Sequence, residues 1–178
     1  MRKLLWGLLV ICGVSVLLCA SCPAPTSAPT PTEPPVIEVV VPEPEPTPPP
    51  WSEDEANVLA MMLWGEARGV QSDTEKAACV WCVLNRVDAY GASIIEVTTA
   101  PSQFVGYQPG NPVDPHLKAL CEDVLTRYFA EKNGEVNTGR VLPPDYLYFS
   151  GDGVRNHFRN AFRGGEIWDW SLPSPYES

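Results

Sequence analysis

Glu66 is the carboxyl in this chain best placed to do chemistry. It stands in Leu63-Trp64-Gly65-Glu66-Ala67-Arg68-Gly69, near the end of a stretch with helical periodicity. Wound at about 100° per residue, Ser52 to Gly69 puts Val58, Leu59, Met62 and Leu63 on one apolar stripe, and Glu66 falls in the middle of it. A carboxyl aimed at a core is costly when ionised. A carboxylic acid that holds its proton near neutral pH is what general-acid cleavage of a glycosidic bond requires. The same position also suits a half-buried glutamate paired with Arg68 or Arg86, and periodicity alone leaves both readings open.

The elements that must position Glu66 are legible in outline. Ser52 with Glu55 three residues on forms a capping box that starts a first helix, ending at Gly69. A second box, Ser72-Asp73-Thr74-Glu75, starts a helix predicted to run to about Val87. Ala77, Ala78, Val80, Trp81, Val83 and Leu84 make that helix apolar on most sides, so it belongs in the centre of the domain. Tyr90 to Asn111 is weakly patterned, with a short helix expected at Ser93 to Val97. Asp114-Pro115 opens a third long helix, running to about Lys132. Beyond it, Tyr146 to Ser150 reads as a strand, Gly151-Asp152-Gly153 as a tight turn, and Val154 to Phe158 as the returning strand. Ile167-Trp168-Asp169-Trp170 could add a third short strand. The expected class is α+β, with helices first and a small antiparallel sheet toward the C-terminus.

The ends and composition set the context. Met1-Arg2-Lys3, an apolar run from Leu4 to Ala20 and small residues before Cys22 form a secretory signal. An uncleaved anchor is a second option, and a lipoprotein signal with Cys22 carrying the lipid is a third. All three place the remainder outside the cytoplasm, so any membrane contact is through residues 1–22. Residues 23–50 are a Pro-rich linker that cannot bury enough apolar surface to fold. In extended form it reaches roughly 80 Å. Residues 51–178 are one domain's worth of chain, with ten basic against eighteen acidic residues. An excess of that sign argues against a general attraction for nucleic acid or anionic membrane. Cys79-Val80-Trp81-Cys82 falls inside a helix with no second pair, and His116 and His157 complete no cluster. No metal or cofactor is therefore expected, and buried thiols or a single Cys121 disulfide fit better.

These features resemble the SleB-type cell wall hydrolases, the spore cortex-lytic enzyme family. The resemblance spans about Asn57 to Phe162 and is carried by Leu63 to Gly69, Lys76-Ala77-Ala78, Val83-Leu84-Asn85-Arg86-Val87, Ser102-Gln103-Phe104 and Tyr146-Leu147-Tyr148-Phe149. Family members often carry a second Glu directly after Glu-Ala-Arg-Gly, where this chain has Val70. The resemblance implies a lysozyme-like fold related to lytic transglycosylases and a monomer acting on the glycan strands of peptidoglycan, with Glu66 as the catalytic acid.

That chemistry has two endings. In a lytic transglycosylase, Glu66 protonates the glycosidic oxygen between N-acetylmuramic acid and N-acetylglucosamine. It then acts as base on the substrate's own 6-hydroxyl, and no second carboxylate is needed. In a muramidase a second carboxylate is needed, and Asp152 in the hairpin turn is the first candidate, with Asp145 and Asp169 behind it. The transglycosylase is preferred, because Asp152 also suits its turn. Sugar rings stack on aromatic faces. Tyr146 and Tyr148 are expected to face the groove, and Leu147 and Phe149 the helices. Gln103 and Asn156 are candidate partners for N-acetyl groups, Trp64 a cleft wall beside Glu66, and Phe104 a groove wall or a core anchor. Arg68 would orient Glu66 or a substrate carboxylate, and Arg86 reads as a structural contact near the end of its helix. The rival readings are a non-catalytic wall-binding module and a structural lipoprotein on a Pro-rich stalk. An amidase or peptidase is disfavoured by the scarcity of His.

Overall fold

A computed structural model describes residues 47–152 and 154–177. The expectations for the leader, Cys22 and most of the linker lie outside them. The described chain is α+β: four helices, then one antiparallel hairpin. Helix α1 covers Glu53–Ala67 and starts at the capping box of Ser52 and Glu55. Helix α2 covers Asp73–Tyr90, α3 covers Ile94–Thr99 and α4 covers Pro115–Lys132. Strands β1, Tyr148–Gly151, and β2, Asn156–Arg159, pair with Phe149 opposite Phe158.

Helix α2 is the centre of the molecule. It packs against α1, α3, α4 and β1, and every residue from Thr74 to Arg86 is buried. Its periodicity is weak for that reason: an amphipathic stripe forms only where one face meets water. The helix runs past Val87 to Tyr90 and stops where Gly91 takes a left-handed conformation, its N–H bonding to the Val87 carbonyl. The second capping box is only half made. Ser72 accepts the Glu75 N–H, but the Glu75 carboxyl turns away from the cap and accepts the backbone N–H of Asn156. One acidic side chain thus ties the hairpin to the central helix.

The strands differ from the sequence reading for local reasons. Strand β1 begins at Tyr148, not Tyr146, because Asn85 holds the preceding backbone. Its Nδ2 donates to the Pro143 and Tyr146 carbonyls at 2.7 and 3.0 Å. Strand β2 begins at Asn156, not Val154, because Asp152 Oδ1 accepts the Val154 and Arg155 N–H groups and keeps both in the turn. The expected third strand shrinks to one bridge between Arg159 and Ile167, with the Trp168 N–H donating to the Phe158 carbonyl.

Asn85 also accepts from Arg140 Nη1 at 2.7 Å, and Arg140 pairs with Glu131 and lies 4.0 Å from the Trp81 ring centre. Cys79, Cys82 and Cys121 are buried free thiols, so Cys121 forms no disulfide with either. Burial pushes the Cys82 thiol up to about 12, which leaves it inert as a nucleophile.

Asn85→Ala should cost about 2–4 kcal/mol, because it strips bonds from two buried carbonyls and from Arg140 together. Chemical denaturation checks this, and a cost within 0.5 kcal/mol (about the level of an ordinary surface substitution) would remove Asn85 as the keystone of this junction.

Candidate functional site

Glu66 lies in the last turn of α1, half-buried. The cause of its setting is the residue before it. Gly65 and Gly106 touch backbone to backbone: a Cβ on Gly65 would stand 1.8 Å from the Gly106 carbonyl oxygen, and one on Gly106 would stand 2.4 Å from the Gly65 carbonyl carbon. Only glycine permits this approach. It brings the Gly106 N–H to 2.6 Å from Glu66 Oε1. Asn111 secures the loop from below, its Nδ2 donating to the Met61 and Gly106 carbonyls at 3.0 and 2.8 Å. Glu66 Oε2 has no hydrogen-bond partner among the described residues.

Glu66 lines a small pocket of about 80 Å³ together with Gly69, Val70, Gly151, Val154, Arg155 and Asn156. A much larger groove of about 1070 Å³ runs over Arg86, Gln103, Tyr148, Phe149 and Ser150 to Phe162 and Arg163. Both strands of the hairpin line both cavities, β2 giving Arg159 to the groove and Asn156 to the pocket, and the 101–107 loop links the groove to Glu66. Strand β1 gives Tyr148 to Ser150 to the groove and Gly151 to the pocket. The 101–107 loop gives Gln103 to the groove and Gly106 to Glu66. Phe104 and Phe149, with ring centres 5.9 Å apart, lock loop and strand together.

Several expected residues take these places. Gln103 and Tyr148 line the groove, Gln103 accepting from Arg86 Nη1 at 2.7 Å. Asn156 lines the Glu66 pocket, although its Nδ2 is turned to the Cys79 thiol at 3.5 Å. Phe104 is buried and acts as the core anchor of its loop. Tyr146 is a correction: it is buried, packs edge-on against Trp168 at 5.5 Å and lines neither cavity. The alternation argument put it beside Tyr148, but the strand does not extend that far back. Phe149 faces the groove as well as the core.

Trp64 is also a correction, and so is the reading of Arg68 as the residue that orients Glu66. Arg68 Nη1 donates to the Trp64 and Gly65 carbonyls and its guanidinium lies 6.0 Å from the Trp64 ring, so it closes its own helix and has no hydrogen bond to Glu66. Trp64 packs against the core and lines neither cavity. Asp152 serves its turn and bonds His157 at 3.0 Å. The two backbone donors and the imidazole hold its carboxyl far below the usual carboxylate range. Neither it nor Asp145 nor Asp169 lines the Glu66 pocket.

Residues that the sequence reading did not place in the site matter as much. Arg86 is buried without a carboxylate partner. Its Nε donates to the Leu147 carbonyl at 2.6 Å, and its guanidinium lies 4.7 Å from the Phe104 ring centre and 5.6 Å from that of Tyr148. An arginine on a helix that is apolar on most sides was the available signal. Glu75, read only as a cap, stands behind Asn156. Burial raises its carboxyl above the ordinary value, against the opposing pull of the Asn156 N–H, Arg155 and His157.

Gly65→Ala should force the 101–107 loop away from α1, costing about 1–3 kcal/mol and breaking the Glu66–Gly106 bond. A crystal structure of the variant with that bond intact would contradict the account. For Glu75 the folded-state pKa is raised, so its contribution is fully present below the unfolded value and is lost as pH rises through the folded one. The glutamine of Glu75→Gln can still accept the Asn156 N–H. Its melting temperature relative to the native chain should therefore climb as pH rises from about 4.5; a difference that stays flat from pH 4 to 7 would show that Glu75 is not so strained. No family model, curated protein or solved structure matches this chain.

Proposed function

We propose that this protein cleaves the glycan strands of peptidoglycan as a lytic transglycosylase, with Glu66 as acid and then base. The observation that carries the reading is the state of the Glu66 carboxyl. One oxygen is fixed by a backbone donor, the other has no partner among the described residues, and the pocket that Glu66 lines has no second carboxylate among its described lining residues. The likeness of Leu63 to Gly69 and of Leu84-Asn85-Arg86-Val87 to the SleB-type hydrolases supports the same substrate, and the N-terminal leader supports action outside the cytoplasm.

The chemistry follows from the hydrogen bonds. Because Oε1 accepts the Gly106 N–H, the acid form carries its proton on Oε2. That proton passes to the oxygen between N-acetylmuramic acid and N-acetylglucosamine as the bond to C1 breaks and positive charge develops on the sugar ring. The N-acetylglucosamine leaves as an alcohol. The Glu66 carboxylate then takes the proton of the muramic 6-hydroxyl, whose oxygen bonds to C1 and closes a 1,6-anhydro ring. Glu66 ends protonated, as it began. A hydrolase would need a further base to activate water, and a pocket without a second carboxylate favours the internal hydroxyl.

Peptidoglycan digested by the native protein should release anhydro-muropeptides, and Glu66→Gln should lower that rate at least about 100-fold with the fold retained. Mass spectrometry of the products is the check. Reducing N-acetylmuramic ends would mean a muramidase instead. No Glu66-dependent cleavage by a folded protein would make the domain a wall-binding module.

A further inference from the structure

The domain is acidic, yet the described lining of the groove contains no acid. Five of the ten basic residues in 51–178 are spent on carboxylates: Lys76 on Asp73, Lys118 on Glu53, Arg127 on Asp123, Lys132 on Asp88 and Arg140 on Glu131. Among the described residues, Arg68, Arg86, Arg155, Arg159 and Arg163 have no such ion pair. Arg68 closes its own helix. The other four stand along the two cavities: Arg86, Arg159 and Arg163 on the groove, Arg155 on the Glu66 pocket.

With eighteen acidic side chains in the domain, unpaired arginines would ordinarily find carboxylates within reach. Of the acids near the hairpin, Glu75 is taken by the Asn156 N–H, and Asp145, Glu166 and Asp169 do not line the groove. Asp152 is held by its turn and His157. Glu96, on the neighbouring cavity, is taken by the Ser93 cap. The groove therefore gathers guanidinium groups where the described residues supply them no counter-charge. Arg86 is fixed by the Leu147 carbonyl and Gln103 and lies over Tyr148. Tyr148 in turn meets Phe162 edge-on at 5.7 Å, giving the groove an apolar floor beneath its charges. Aromatic faces suit sugar rings or peptide side chains, and arginines suit carboxylates, to which they bond through two nitrogens at once.

We propose that this groove binds the carboxylates carried by the muramic acid residues of the strand that Glu66 cuts, with Arg159 and Arg163 as the contacts not engaged by hydrogen bonds among the described residues and Arg86 as the one already held. The identity of the ligand rests on the reading of Glu66 as a peptidoglycan-cleaving acid. The groove would make the enzyme specific for a wall polymer against a neutral glycan of the same amino sugar. Two sources supply that chemistry: the peptide stem, and the lactyl group once its stem has been removed.

The test uses the full chain carrying Glu66→Gln, so that the ligand survives, with and without Arg159→Gln plus Arg163→Gln. Neither arginine has a side-chain hydrogen bond among the described residues, so both can change without loss of the fold, and melting of each variant verifies this. Arg86, which holds the loop, is left alone. Binding is measured to strands with intact stems, to strands stripped of stems by an amidase, and to neutral N-acetylglucosamine oligomers. The double change should weaken binding to one or both anionic strands by at least about tenfold, the loss of one good charged hydrogen bond. It should leave the neutral oligomers unaffected and abolish the salt dependence seen with the native arginines. Lysine at both positions should restore part of the affinity. Loss confined to stem-bearing strands assigns the contact to the stem, and loss on stripped strands assigns it to the lactyl carboxylate.

An equal loss on neutral oligomers, or no loss on any strand, would overturn the proposal. Arginine-dependent binding by a native protein that cleaves neither strand would sink the enzyme reading alone and keep the groove. Cleavage that persists while binding ignores Arg159 and Arg163 would do the reverse.

Discussion

The structure depends on a central helix buried on every side that still carries two polar side chains at its end. Burying Asn85 and Arg86 is costly unless every donor finds a partner. The carbonyls of Pro143, Tyr146 and Leu147 are those partners. The same bonds that satisfy the helix fix the backbone that leads into β1, and so set where the hairpin stands. Arg86 reaches further, to Gln103, and fixes the loop that brings Gly106 to Glu66. One turn of α2 thereby positions both walls of the groove.

The acid site and the groove are consequences of this arrangement in different ways. At Glu66 the decisive fact is steric: two glycines let a loop meet a helix end without side chains between them, so that a backbone donor takes one carboxyl oxygen. In the groove the decisive fact is electrostatic: arginines gather where the described lining offers no carboxylate. Strand β1 and the 101–107 loop belong to both, so a ligand held in the groove lies along the elements that frame the acid.

What was legible in the sequence was whatever depends on near neighbours. The caps at Ser52 and Asp114 and the lengths of α1 and α4 follow from residues within one turn of each other. Glu66 stood out as a candidate because a carboxyl broke an apolar stripe, and its place near the end of α1 was legible with it. The errors come from contacts across the chain. Tyr146 alternates correctly with Tyr148, yet Asn85, sixty-one residues earlier, holds its carbonyl out of the strand and leaves its ring against Trp168. Glu75 matched a capping box, but the Asn156 N–H, eighty-one residues on, competes for its carboxyl and wins. Arg68 lay close enough in sequence to suggest a partner for Glu66, and the carbonyls of its own helix were nearer. The cluster of Arg86, Arg159 and Arg163 has no local signature at all, since it requires the hairpin to fold back over α2 and the 101–107 loop.

The central claim is that the Glu66 Oε2 position, and not the groove alone, receives the glycosidic oxygen. A crystal structure of Glu66→Gln with a bound peptidoglycan tetrasaccharide tests it most directly. The oxygen between N-acetylmuramic acid and N-acetylglucosamine should lie within about 2.6–3.2 Å of the side-chain nitrogen that replaces Oε2, with the Gly106 N–H still on Oε1. A tetrasaccharide lodged in the groove with no glycosidic oxygen near position 66 would contradict it.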